Sequence, residues 1–265
     1  MTGDGAGRGG AFFDLDKTLM EGSSAFQFGR AAYRRGMLTR RQLARDLWAN
    51  VRFRLEGTTD ESTAALRDRV FESIAGQRVT DLARLTPDVL AGVLPRLYAQ
   101  MLHVAWEHQD AGRPVFIVTA ASQEMAEMLA HVLHFDGGIG TRSEVHDGVY
   151  TGKPAGPFTY REGKAEAIRQ VAAERGIDLA QSYAYSDSES DLPMMRAVGH
   201  PVAVNPDAAL EREARDEGWQ IMRFDKLGRR LRLAALAAGV GLVGGGGGYA
   251  AARMRPRRGL RRRFT

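Results

Sequence analysis

The sequence predicts the α/β class: a Rossmann-like, mostly parallel sheet covered by helices, with an all-helical module inserted after the first strand. Three observations carry this. Residues 11–14, Ala-Phe-Phe-Asp, form a short apolar run that follows ten residues almost without apolar content. Residues 24–110 then show helical spacing and almost no alternation of period two. From Arg113 onward, short apolar runs alternate with helical segments, the order expected of parallel strands joined by crossover helices.

The elements follow in chain order. Residues 1–10 read as a flexible lead-in; with no apolar core region they do not resemble a secretory signal. Thr39, Arg40, Arg41 and Gln42 have the form of a capping box, in which Thr accepts from the third helical amide and Gln reaches back. The predicted helix carries Leu43, Leu47, Val51 and Leu55 on one stripe and is closed by Gly57. Thr58 with Glu61 opens another, which carries Leu66, Val70 and Ile74 and stops at Gly76. Thr86-Pro87 opens a third, which Pro95 is expected to bend or split before it runs to Gly112. Residues 22–110 thus read as a helical cap insertion of three or four helices, and residues 11–21 with 111–225 as the core.

In the second half, Val115 to Val118 suits a fully buried parallel strand, and Ser122 caps a helix carrying Met125, Leu129 and Val132. Val145 to Tyr150 reads as a hairpin about Asp147-Gly148. Lys164 to Arg175 reads as a helix closed by Gly176. Tyr183–Tyr185 and Pro201–Val204 are further strands, with a helix near Met194 between them.

Composition narrows the chemistry. The 265 residues include no cysteine, which excludes disulfides, thiolate zinc sites and cysteine nucleophiles. From Lys226 to the end there are eleven Lys and Arg and no acid; removing them from the net charge of +5 leaves −6 for residues 1–225. The body therefore has no basic stripe for nucleic acid, and its positive charge sits in a tail. The body is expected to be cytoplasmic.

Polar residues follow each predicted strand: Asp14-Leu15-Asp16-Lys17-Thr18, then Thr119-Ala120-Ala121-Ser122, then Ser186-Asp187-Ser188-Glu189-Ser190-Asp191. Each alone has the composition of a helix cap. Together they bring four aspartates to one edge of one sheet, where ligands of parallel sheets bind. Unpaired, these groups would repel and resist ionisation, and a hard divalent cation such as magnesium removes that conflict. Asp14 and Asp16, two apart in an extended segment, point the same way and can flank a scissile bond.

With DLDKTL, a strand ending in Thr119, then Lys164 and finally DSESD in order, the chain resembles the haloacid-dehalogenase superfamily of phosphatases, most of all its phosphoserine-phosphatase-like subfamily. The resemblance covers roughly residues 11–224. It implies a nucleophile at Asp14 that forms an aspartyl-phosphate, and a general acid and base at Asp16, whose carbonyl ligates Mg2+. It implies that Thr119 and the Ala120 amide hold the phosphoryl group, that Lys164 neutralises it, that Asp187 binds the metal and that Asp191 orients metal-bound water or Lys164. Phosphoserine phosphatases carry a Glu nine residues after the nucleophile to read the substrate amine. Here that position is Ser23 and the nearest acid is Glu21, which speaks against strict phosphoserine specificity.

The expected activity is magnesium-dependent hydrolysis of a small phosphorylated substrate. A phospholipid headgroup phosphate is the alternative, and a non-catalytic membrane-surface or nucleic-acid-binding module a further one. Leu233 to Ala252 is uncharged, but seven of its twenty residues are glycine, and seven arginines follow. A tail anchor, a peripheral basic anchor and a flexible linker remain open for residues 226–265.

Overall fold

The computed structural model describes residues 8–39, 41 and 60–224. The capping box at Gln42, the stripe from Leu43 to Leu55, the Thr58 start and residues 226–265 lie outside the described residues.

The strands are β1 (Ala11–Asp14), β2 (Val115–Ser122), β3 (Gly137–Thr141), β4 (Ser143–His146), β5 (Val149–Pro154), β6 (Tyr183–Ser186), β7 (His200–Val204) and β8 (Gln220–Met222). Six of them form one parallel sheet in the order β3-β2-β1-β6-β7-β8. The chain proceeds outward from β1 to β2 and β3 on one side, then returns to β6, β7 and β8 on the other. The order reverses at β1, so the crevice beyond Asp14 is the switch point at which such sheets bind ligands.

The described helices are α1 (Ser24–Arg34), α2 (Asp60–Ile74), α3 (Val79–Ala83), α4 (Thr86–Val93), α5 (Ala99–Asp110), α6 (Gln123–Val132), α7 (Glu162–Arg175), α8 (Leu192–Arg196) and α9 (Ala208–Asp216). Alternation along β1 assigns its two phenylalanines to opposite faces. Phe12 stacks on Phe116 at 5.3 Å in a cluster with Ile168 of α7 and Met194 of α8. Phe13 stacks on Tyr185 at 4.3 Å and meets the edge of His108 from α5. Both faces of the central strand are thereby closed, which explains its uninterrupted apolar run.

Pro95 splits the predicted third helix as expected: α4 ends at Val93, a 3-10 turn covers Leu94–Arg96, and α5 begins at Ala99. The chain leaves and rejoins the sheet region side by side. The Glu21 amide donates to the Arg96 carbonyl and the Tyr98 amide to the Leu19 carbonyl, both at 2.8 Å. Helix α5 lies beyond this closure and packs on the sheet, burying Met101, Ala105 and His108. The expected boundary at residue 110 lies at the end of α5, whose His108 ring meets Phe13 and Tyr185.

The predicted hairpin is β4–β5, and Asp147 and Gly148 both take positive φ, at 50° and 75°, the requirement of a tight two-residue turn. The hairpin packs on α2: a Cβ at Gly152 would lie 2.8 Å from Ala75. Among the described residues no helix is long and apolar enough to cross a membrane.

Candidate active site

The site assembles from three strand ends and one helix. Asp14 ends β1, Thr119 lies in the last stretch of β2, Asp187 follows β6, and Lys164 sits in the first turn of α7. Asp191 closes a short 3-10 turn over Glu189–Asp191, whose start is capped by Ser188 donated to by the Ser190 amide. Gly176, at φ 65°, ends α7 as predicted.

Lys164 is the centre of the arrangement. Its Nζ donates to Asp14 Oδ1 at 2.5 Å and to Asp191 Oδ2 at 2.7 Å, and all three side chains are buried. Burial by itself would push the lysine down, but Asp14 and Asp191 outweigh it and hold the ammonium charged. Burial pushes the Asp14 carboxyl up against the opposing pull of Lys164, and the charges of Asp191 and Asp187 add to the rise. Asp187 is pushed up to about 6, chiefly by burial; Lys17 at 3.4 Å opposes this and Asp191 reinforces it. One buried ammonium, Lys164, faces three buried carboxyl groups, and the more exposed Lys17 lies beside Asp187.

Asp16 stands apart from this cluster. Its Oδ1 accepts the Ser24 amide at 2.8 Å and its Oδ2 accepts the Ser23 hydroxyl at 3.2 Å, so the carboxylate serves the first turn of α1. Ser23 itself makes no side-chain cap to that helix. Lys17 adopts φ 60°, which turns the chain after Asp16 and lets the Leu19 amide bond back to the carbonyls of Asp14 and Leu15. Thr119 is buried, and its Oγ1 accepts the Ala121 amide at 3.2 Å. The Ala120 carbonyl accepts the Thr141 hydroxyl at 2.9 Å.

The structure brings Asp14, Lys164, Asp187 and Asp191 together, with Asp16 just after β1 and Thr119 near the end of β2. Two residues escaped sequence reasoning. Ser186 donates to Asp191 Oδ2 at 2.7 Å, and Thr141 reaches the loop of Thr119. Ser186 carries a weak signal, since it stands directly before the acidic run; Thr141 carries none. Glu189 is exposed.

Fold and site together define an α/β enzyme of the phosphatase class. The model of the haloacid dehalogenase-like hydrolases matches residues 11–196, and the chain belongs to that family as a phosphoserine-phosphatase-like phosphatase. It is 36% identical over 243 residues to phosphoserine phosphatase SerB1 of Mycobacterium tuberculosis, covering 91% of this chain and 79% of that protein. It is 31% identical over 219 residues to a histidinol-phosphatase of Neisseria meningitidis, covering 81% and 98% of the two chains. A solved structure from Bordetella pertussis, of a protein of unknown function, superimposes with a TM-score of 0.72 at 30% identity, over 82% of this chain and 99% of the other.

Proposed function

We propose that this chain hydrolyses a small phosphate monoester through an aspartyl-phosphate on Asp14, with Mg2+ as cofactor. The observation that carries the reading is Lys164 held between Asp14 and Asp191, with Asp187 beside them. A carboxylate attacks a phosphate dianion only when their repulsion is cancelled, and a fixed ammonium at the nucleophile contributes to that.

The donor set fits magnesium. Asp14 and Asp187 close adjacent strands β1 and β6, and the buried Asp191 Oδ1 has no hydrogen-bond partner. Among the described residues no three acidic or histidine side chains form a closed cage. That suits an ion that keeps several waters and accepts carbonyl and phosphate oxygens. Asp14, Asp187 and the Asp16 carbonyl would hold it, and Asp191 would orient its surroundings. When bound, it supplies positive charge to the phosphoryl oxygens.

The protein's own groups then act in two steps. An oxygen of Asp14 bonds to phosphorus as the ester P–O bond breaks, and protonated Asp16 gives its proton to the departing alkoxide. Asp16, now ionised, takes a proton from water, whose oxygen displaces Asp14 and yields inorganic phosphate. Asp16 has to release the Ser24 amide or share it, since its two oxygens now serve α1. The Thr119 hydroxyl and the Ala120 amide hold the phosphoryl oxygens, and Lys164 draws the Asp14 carboxyl towards its ionised form against the rise that burial imposes.

Residues 22–97, with the hairpin β4–β5 packed on α2, act as the cap, and residues 99–110 as part of the core. The cap position that would read a substrate amine is Ser23, which is occupied with Asp16. The relatives' names specify two different phosphate monoesters, so a panel including phosphoserine and histidinol phosphate is the direct test. Magnesium-dependent phosphate release that vanishes in Asp14→Asn supports the reading. A folded wild type that releases none from any member of the panel overturns it.

A further inference from the structure

We propose that Thr141, on the edge strand β3, is a positioning residue for the phosphoryl-binding loop 119–121. The inference rests on the phosphatase reading for what the loop binds, and on geometry for how the loop is held.

Pairing between β2 and β3 is interrupted at this point. Val118 pairs with Ile139 and Ser122 with Thr141, so Thr119, Ala120 and Ala121 on β2 face Gly140 alone on β3. The bulge lifts three residues of β2 out of the ladder, and their backbone groups need other partners. Gly140 makes the mismatch possible. A Cβ there would lie 2.7 Å from the Ser122 carbonyl oxygen and 2.8 Å from the Gln123 backbone. Only a residue without a side chain lets the start of α6 come this close.

The lifted peptide between Ala120 and Ala121 is pinned at both ends. Its carbonyl accepts the Thr141 hydroxyl, and its N–H donates to Thr119 Oγ1. Thr141 Oγ1 in turn accepts the Thr159 amide at 3.3 Å, and Thr159 Oγ1 donates to the Gly140 carbonyl at 2.8 Å. Both threonines are 2% exposed, so no water competes for these groups. With one lone pair taken by the Thr159 amide, the Thr141 hydroxyl directs its hydrogen at Ala120. With the Ala121 amide on its oxygen, the Thr119 hydroxyl retains its hydrogen for donation to a phosphoryl oxygen. Each bond in the series strengthens the next, because donation to a carbonyl makes the N–H of the same peptide a better donor.

The test compares Thr141→Val, which keeps the shape and loses both the donor to Ala120 and the acceptor of the Thr159 amide, with Thr141→Ser, which keeps both. Inhibition by inorganic phosphate, kcat and KM are read for both, beside melting temperature. Resonances of the Ala120 and Ala121 amides are followed during titration with phosphate and MgCl2. In Thr141→Val the phosphate affinity is expected to fall about tenfold, with kcat/KM falling at least as far; Thr141→Ser should remain within about threefold of wild type. Equal losses in both variants that track melting temperature, or a folded Thr141→Val with wild-type phosphate affinity, overturn the proposal. A wild type that hydrolyses nothing, yet binds phosphate at these amides more tightly than Thr141→Val, overturns the catalytic reading and supports the positioning role. A wild type that shows neither hydrolysis nor binding there overturns both.

Discussion

The floor and the rim of the site are built differently. On the floor, Asp14, Lys164 and Asp191 are buried and bonded to one another from three separate elements. On the rim, Asp16 and Ser23 belong to the join between β1 and α1, and their bonds serve that join. The floor is held by its own ion pairs, Lys164 to Asp14 and Lys164 to Asp191. In the proposed mechanism the rim exchanges a capping bond for a proton-transfer partner. The buried ion pairs and the capping bonds therefore meet at one strand end.

Substitutions can break this contrast. The largest effect is expected at Asp14→Asn, which keeps the Lys164 contact and removes the proposed nucleophile; phosphate release should fall by about 10³-fold or more. Lys164→Met leaves two carboxylates buried beside each other without their shared cation. It should abolish activity and also lower stability by about 3 kcal/mol, read from urea unfolding. A folded Lys164→Met with wild-type stability would show that the floor is not held by this pair of bonds. Asp16→Asn is expected to cost about 10²-fold in kcat for poor leaving groups, with stability nearly unchanged because an amide oxygen can still accept from Ser24. Activated esters such as aryl phosphates should lose much less, since their leaving group needs no proton.

Ser23→Ala sharpens the contrast further. It removes one long bond to Asp16 and should change kcat by no more than about threefold. A loss comparable to Asp16→Asn would mean that the rim is as fixed as the floor.

The smallest expected effect lies away from both. Arg113 Nε donates to His108 Nδ1 at 2.7 Å, so Nδ1 is the acceptor and Nε2–H of the neutral ring faces the Tyr185 hydroxyl at 2.7 Å. Burial, followed by the charge of Arg113, pushes this imidazole down to about 4 from 6.5. Between those values the unfolded chain binds more protons than the folded one. The stabilisation from neutral His108 is therefore complete above pH 6.5 and is lost as pH falls towards 4. Thermal melts at pH 7.5 and pH 5 should show the wild type losing a few degrees more than His108→Gln.

Much of the fold was legible because its signals are local. Phe12 and Phe13 before two aspartates, Pro95 between two helices, Asp147-Gly148 in the hairpin and Gly176 after α7 each act within a few residues of their own position. Strand β3 was not legible, since three of its five residues are glycine. Its existence follows from the close approach of α6, where a Cβ at Gly138 would overlap the Ala126 backbone. Helix α5 was assigned to the inserted module because helical spacing does not say which layer an apolar stripe meets.

By itself, the sequence determined the chemical types at the site and their order along the chain: two aspartates after β1, a threonine after an apolar run, a lysine at a helix start and an acidic run. Tertiary structure alone decided that Lys164 meets Asp14 across 150 residues, that Asp191 shares it, that Ser186 supports Asp191, and that Thr141 reaches across a bulge to Ala120. The physical reason is one of range. Backbone preference and side-chain periodicity act over a few residues, whereas a buried charge finds its partner only where packed layers bring distant strand ends together.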